Sequence, residues 1–304
     1  MSAVMTVTGP VAGSDLGITQ PHEHVFWNIM LEYRGDGLMH DERLAEIELR
    51  RLVAAGCRTL VDVTNSGIGR QPEMLRRVSQ KTGLQIVMGS GWYRHPFLDR
   101  QYFEAHTTDE IADDIVRDLE VGVDGTDVRA GIIGEIACDR IITPAEERSF
   151  RAAARAHLRT GVTISTHAAR WPVGLPQLDI LRQEGVDPRR VIIGHSDMVH
   201  DPAYHLALAE RGAWVEFDTI DGESDYDNQR QIGYILDLVG AGHLGRILLS
   251  QDICLRSQFA TFGGIGYTFL LERFVPMLRD AGLSAEQITI LLEENPRRAL
   301  TGDD

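Results

Sequence analysis

Short apolar runs alternate with longer amphipathic stretches along the whole chain. Eight of the runs read as strands: residues 16–24, 58–62, 84–90, 131–136, 162–167, 191–195, 213–218 and 247–252. They are bounded by turn residues and rich in Val, Ile and Leu, as strands covered on both faces are. The stretches between them carry helical signals. Ala45, Leu49, Leu52 and Val53 form an apolar stripe at helical spacing. Thr107 with Glu110, Thr143 with Glu146, and Ser284 with Gln287 have the spacing of capping boxes, and Pro144 suits a first helical position. Gly56, Gly83, Gly161 and Gly212 stand where helices should end. Strands alternating with helices predict an α/β protein with a parallel sheet. Eight such units without a dinucleotide fingerprint predict a closed (β/α)₈ TIM barrel rather than an open doubly wound sheet. Residues 4–9 form one further extended piece, expected as a small hairpin over the barrel floor.

Composition narrows this picture. A barrel of this kind takes about 250 residues. The chain has 304, so a single domain spanning 1–304 is expected. A formal net charge of −15 argues against nucleic acid and anionic membranes as partners, because both reward a basic face. The expected partner is a small-molecule substrate. The three cysteines, Cys57, Cys138 and Cys254, are too sparse for a disulfide framework and suit a reducing compartment. Residues 1–10 lack the pattern of a secretory leader, and no apolar run reaches the roughly 18 residues of a spanning helix. A cytoplasmic protein is the expectation.

The candidate chemistry lies at strand ends. His22 and His24 flank Glu23, and strand side chains alternate faces. The two imidazoles should therefore point into the barrel together while Glu23 points outward. His167 ends the fifth run, His195 the sixth and Asp252 the eighth, and Glu135 lies at the end of the fourth. A barrel brings these ends to one mouth, where active sites of this fold lie. Each residue also has a structural account: a buried hydrogen bond for a histidine, a helix cap for Asp252, an ion pair for Glu135. Together, four imidazoles and two carboxylates at five strand ends are costly to bury without a cation.

Further stretches carry a resemblance. They include Thr8-Gly9-Pro10-Val11, Gly17-Ile18-Thr19-Gln20-Pro21-His22-Glu23-His24 and Gly131-Ile132-Ile133. Ser165-Thr166-His167, Gly194-His195-Ser196-Asp197, Leu249-Ser250-Gln251-Asp252, Gly263-Gly264-Ile265-Gly266-Tyr267 and Glu294-Asn295-Pro296-Arg297 continue it. In order, from about Thr6 to Leu300, they resemble the phosphotriesterase family of the amidohydrolase superfamily. The resemblance implies a hydrolase with two divalent ions, zinc in the first place and manganese or cobalt as alternatives, in an assembly that is commonly a homodimer. It implies His22, His24 and Asp252 on the more buried ion and His167 and His195 on the more exposed one. A carboxylate would bridge them. Well-known members use a carboxylated lysine for that bridge, but Gly134 holds the position here and Lys81, the only lysine, falls in a predicted helix. The bridge is then Glu135, as in a glutamate-bridged subgroup. Because neighbouring strand residues face opposite ways, a bulge is expected at Gly134 to turn Glu135 inward.

The implied reaction is attack by a metal-bridging hydroxide on a carbonyl or phosphoryl centre, with Asp252 orienting it and carrying its proton to the leaving group. Lactones or other carboxylic esters are the expected substrates. Organophosphate triesters, amides and a non-catalytic ligand-binding barrel are the alternatives. Trp92 and Tyr93, beside Arg94 and His95, could line the substrate pocket or pack the loop after the third strand. Arg170 follows His167 by three residues and Arg256 follows Asp252 by four. Either could bind an anionic or polyhydroxylated substrate, or simply pair with the acidic rim. The loop at 221–227 is short and acidic and lacks the arginine that quorum-sensing lactonases of the family tend to carry. Cys138 and Cys254 lie near the mouth but read as small core residues.

Overall fold

Each of the eight apolar runs contributes one strand to a single parallel sheet. The strands are β1 (Thr19–Glu23), β2 (Thr59–Asp62), β3 (Gln85–Ser90), β4 (Ile132–Ala137), β5 (Ile164–His167), β6 (Val191–Gly194), β7 (Trp214–Phe217) and β8 (Ile247–Leu249), hydrogen-bonded in chain order. The computed structural model describes residues 2–222 and 224–303. Helices follow the strands in turn: α1 (Glu42–Ala54), α2 (Pro72–Thr82), α3 (Thr108–Glu120), α4 (Pro144–Thr160), α5 (Gly174–Gln183), α6 (Pro202–Glu210) and α7 (Asp225–Gly240). After β8 a π-helical turn at Leu270–Phe274 runs into α8 (Val275–Asp280). The architecture is the (β/α)₈ barrel. The capping boxes at Thr107, Thr143 and Ser284 all close. Among the described residues, no helix is long and apolar enough to cross a membrane.

Alternation along the strands sorts two cores. Leu60, Ile86, Ile133, Ile193 and Val215 face the helices. Their neighbours Val61, Val87, Ile132, Ile192, Trp214 and Leu248 fill the barrel interior at its floor. The N-terminal hairpin pairs Ala3–Thr6 with Gly9–Ala12 and is tied to β3 by the Val7 N–H donating to the Ile86 carbonyl at 2.9 Å. It pushes Val4 into the floor core, which Leu16, Ala299 and Leu300 complete.

Two local irregularities aim the mouth. Between β4 and β5 the register steps from Ile133↔Ile164 to Ile136↔Thr166, so β4 carries one extra residue. Ile132 faces in, and regular alternation would put Glu135 outside; the bulge reverses this. Gly134 adopts φ +135°, and a Cβ there would lie 2.3 Å from the Ser165 carbonyl oxygen, so only glycine fits. The expected bulge is therefore present. A second one, not expected, lies in β1 between Gln20↔Leu60 and Glu23↔Asp62, where Pro21 has no N–H to lose.

The last join, between β8 and β1, is made largely by side chains. The Ser250 hydroxyl accepts from the His22 N–H at 3.1 Å and lies 2.7 Å from the His22 carbonyl and 2.8 Å from the Glu23 carboxylate. Glu23 also accepts from the Gln251 N–H at 2.8 Å and the Ile253 N–H at 2.9 Å. It points out of the barrel interior, as alternation requires, yet is buried.

Candidate metal centre

The structure brings all six candidate ligands together at the C-terminal mouth. Glu135 stands at the middle. On one side, His22 Nε2 lies 3.6 Å from Glu135 Oε2 and 3.8 Å from Asp252 Oδ1. His24 Nε2 lies 3.6 Å from Glu135 Oε1 and 3.2 Å from Asp252 Oδ1. On the other side, Glu135 Oε2 is 3.0 Å from His167 Nδ1 and 3.4 Å from His195 Nε2, and these two nitrogens are 2.7 Å apart. The sets His22–His24–Glu135 and Glu135–His167–His195 each have the spacing to hold a metal ion. The donors suit one: His22 Nε2 is buried with no hydrogen-bond partner. A mixed imidazole and carboxylate set is the kind that zinc and neighbouring divalent ions favour.

The opposite face of three rings is anchored by residues that sequence reading passed over. His22 Nδ1 lies 3.0 Å from Glu216 Oε2 and 3.2 Å from Asp218 Oδ2. His195 Nδ1 lies 2.8 Å from Asp218 Oδ1, and the His195 N–H donates to Asp218 Oδ2 at 2.8 Å. His24 Nδ1 lies 2.7 Å from the Thr64 hydroxyl. Such contacts fix ring orientation and leave the other nitrogen free for a ligand. Asp218 therefore grips one imidazole from each set. The signal was in the sequence: Glu216 and Asp218 are spaced as His22 and His24 are, on the inward face of β7.

The electrostatics favour positive charge here. Burial disfavours a charged imidazole at His22, but Asp218, Glu216 and Glu135 outweigh it and push it up to about 10. Burial likewise opposes charge on His195, and Asp218, Glu135 and Asp252 raise it well above the usual histidine range. Burial also opposes charge on Glu135; His167, His195 and His22 together hold its carboxyl well below the usual range. His167 moves the other way, lowered by burial and by the charge of His195.

A cavity of about 410 Å³ opens over the cluster. Tyr93 lines it, with its hydroxyl 3.4 Å from His167 Nδ1 and its phenol raised by burial well above the usual range. Arg170 also lines it. Two other candidates do not reach it. Trp92 turns under the loop and stacks on Tyr102 at 5.2 Å. Arg256 lies over the Phe262 ring at 5.3 Å. No period operates in these loops, so sequence could not phase them. Arg94, beside Tyr93, does line the cavity and is bound to Glu32 at 2.7 Å and Asp139 at 3.3 Å. Of the 221–227 loop, Glu223 lies outside the described residues; Ser224 caps α7. Cys254 is on the cavity wall, but burial raises its thiol well above the usual range. Cys138 is held by Gln177 at 3.1 Å and is pushed up by burial to about 12, unsuited to a nucleophile. Lys81 lies in α2 beside Glu42 and Glu46, far from any bridging role.

Comparison with known proteins adds to the geometry. The profile of the "Phosphotriesterase family" matches residues 2–300. The phosphotriesterase homology protein of Escherichia coli K12 is 37% identical over 286 residues, covering 92% of this chain and 96% of that protein. An N-acetyltaurine hydrolase of Dictyostelium discoideum is 31% identical over 362 residues, covering 98% and 97%. Among solved structures, a lactonase of Listeria monocytogenes superposes with a TM-score of 0.92 at 28% identity, and each chain is covered completely, 100%.

Proposed function

The chain belongs to the phosphotriesterase family and is a hydrolase; from that premise we propose that it uses a two-metal centre to open lactones or cleave other carboxylic esters. The observation that carries the reading is Glu135, turned inward by its bulge between two pairs of imidazoles. In this reading His22, His24 and Asp252 would hold one ion and His167 and His195 the other, with Glu135 shared between them. Zinc is the proposed metal, with manganese or cobalt able to replace it. Two such ions would supply a water acidic enough to attack near neutral pH and a Lewis acid for the substrate oxygen.

The chain's own groups do the rest. Asp252 is the ligand most open to the cavity, with 18% of its side chain exposed. It can take the proton of the attacking water and deliver it to the departing oxygen. Tyr93 stays a phenol at neutral pH and can donate to the substrate from beside His167. The cavity wall of Trp27, Ile29 and Met198 gives an apolar seat for the acyl chain. The likeness to a protein named a lactonase over the full length of both chains supports esters over other acyl compounds.

A second reading is an amide hydrolase, favoured by the relative named as hydrolysing N-acetyltaurine; phosphotriester cleavage is a side activity of the same centre. Zinc-, manganese- and cobalt-loaded protein should be assayed on lactones, esters, amides and phosphotriesters. Two ions bound per chain, with lactones or esters turned over fastest, is the expected result; amides turned over fastest would replace it with the second reading. The same proposal takes residues 1–304 as one domain, cytoplasmic and paired as a homodimer, which sedimentation would check.

A further inference from the structure

Of the cavity's cations, Arg94 is already spent. Its guanidinium contacts both oxygens of Glu32, at 2.8 and 2.7 Å, and Asp139 at 3.3 Å, so its single positive charge is more than matched by the two carboxylates that hold it. Arg170 shares the cavity but not the pairing. Among the described residues no hydrogen bond, ion pair or stacked ring engages its guanidinium. The neighbouring aromatic, Trp171, is taken by Arg140, whose guanidinium lies 4.6 Å from the ring centre. Arg170 also sits at φ +65°, a left-handed conformation costing a non-glycine residue about 1–2 kcal/mol. Such placements at a site are held against local preference by their surroundings. Its Cα can be no more than about 11 Å from that of His167, three residues earlier. A substrate of a few carbon atoms can therefore touch both the cluster and this side chain.

We propose that Arg170 reads a negative charge on the substrate, so that the preferred esters or lactones carry a carboxylate or similar anion remote from the reacting carbonyl. This deepens the hydrolase reading above and rests on it. A guanidinium grips a carboxylate with two parallel hydrogen bonds. Among the described residues no carboxylate is bound to it, so none of them has to be displaced first. Two divalent ions held by the cluster as proposed above would add further positive charge.

The test compares monoethyl glutarate with diethyl glutarate, which differ by one free carboxylate. Metal-loaded protein should favour the monoester in kcat/KM. Arg170→Gln should cut that preference by about 10- to 100-fold, mainly through KM. Arg170→Lys should restore only part of it, since an ammonium lacks the fork. Arg256→Gln, over the Phe262 ring and not among the residues lining the cavity, should leave the preference where it was. A preference unchanged in Arg170→Gln, or absent in the parent protein, overturns the proposal. Calorimetric binding of glutarate relative to butyrate separates the two claims. If neither ester is cleaved but glutarate binding still depends on Arg170, the ester reading falls and the anion site stands. If both esters are cleaved without charge preference, the reverse holds.

Discussion

The floor and the mouth of the barrel use inward positions of the same strands and obey opposite rules. At the floor, Val61, Val87, Ile132, Ile192, Trp214 and Leu248 interlock, each at most 1% exposed. Two residues beyond Trp214 comes Glu216, and two beyond that Asp218; two beyond Leu248 comes Ser250. The floor removes apolar surface from water and needs nothing but size and shape. The mouth buries carboxylates and imidazoles that none could tolerate alone, and each must find partners. Backbone conformation divides the same way. Among the described residues, five non-glycine residues have positive φ; three are His195, Asp252 and Arg170 at the mouth, and none is on the floor. Stability is concentrated in one end of the interior, and tension in the other.

Substitutions can break or sharpen that division. The largest effect is expected from Glu135→Gln, which should lower kcat by about 10²–10⁴-fold and reduce bound metal, while circular dichroism and cooperative unfolding persist. Full metal content with near-normal turnover would remove Glu135 from the centre. Leu248→Ala should cost about 2–5 kcal/mol in denaturant titrations yet leave metal content per folded chain unchanged. A parallel loss of metal would show that the two ends are not independent. Asp218→Asn should weaken metal binding by about 10–100-fold at both positions, because one carboxylate steadies His22 and His195. A chelator competition that shows only one position affected would assign Asp218 to a single ring.

The effect smallest per step is graded with pH. His22, raised to about 10, is protonated in the metal-free protein across neutral pH. A metal must displace that proton to reach the ring, so binding releases protons. Affinity should therefore rise with pH up to about 10, by at most about tenfold per unit for each proton displaced. Calorimetry in buffers of different ionisation enthalpy measures the release; none between pH 7 and 9 would contradict it.

How much of this could be read from sequence follows from the same division. The floor was legible because period-two alternation is a rule about faces, and it placed every strand. The six candidate ligands could be picked out because imidazoles and carboxylates interrupt apolar runs at their ends. Glu216 and Asp218 were read only as part of a strand, since an acid within an apolar run does not announce its partner. Trp92 and Tyr93 are adjacent yet part ways, and Arg170 and Arg256 look alike on paper. In each pair the outcome is decided by loop backbone, which carries no period. Glu23 was correctly turned outward, but its task depends on residues more than 220 positions away.

That task has a consequence for the whole hoop. Glu23 and Ser250 are its buckle, fastening the first stave to the last. His22 and His24 lie on one side of the buckle and Asp252 on the other, so an ion held by all three would be a rivet through the overlap. Chelating the metal should then speed hydrogen exchange at the Gln251 and Ile253 amides more than at Val87 or Ile192, and equal rates at all four would mean that the rivet bears no strain.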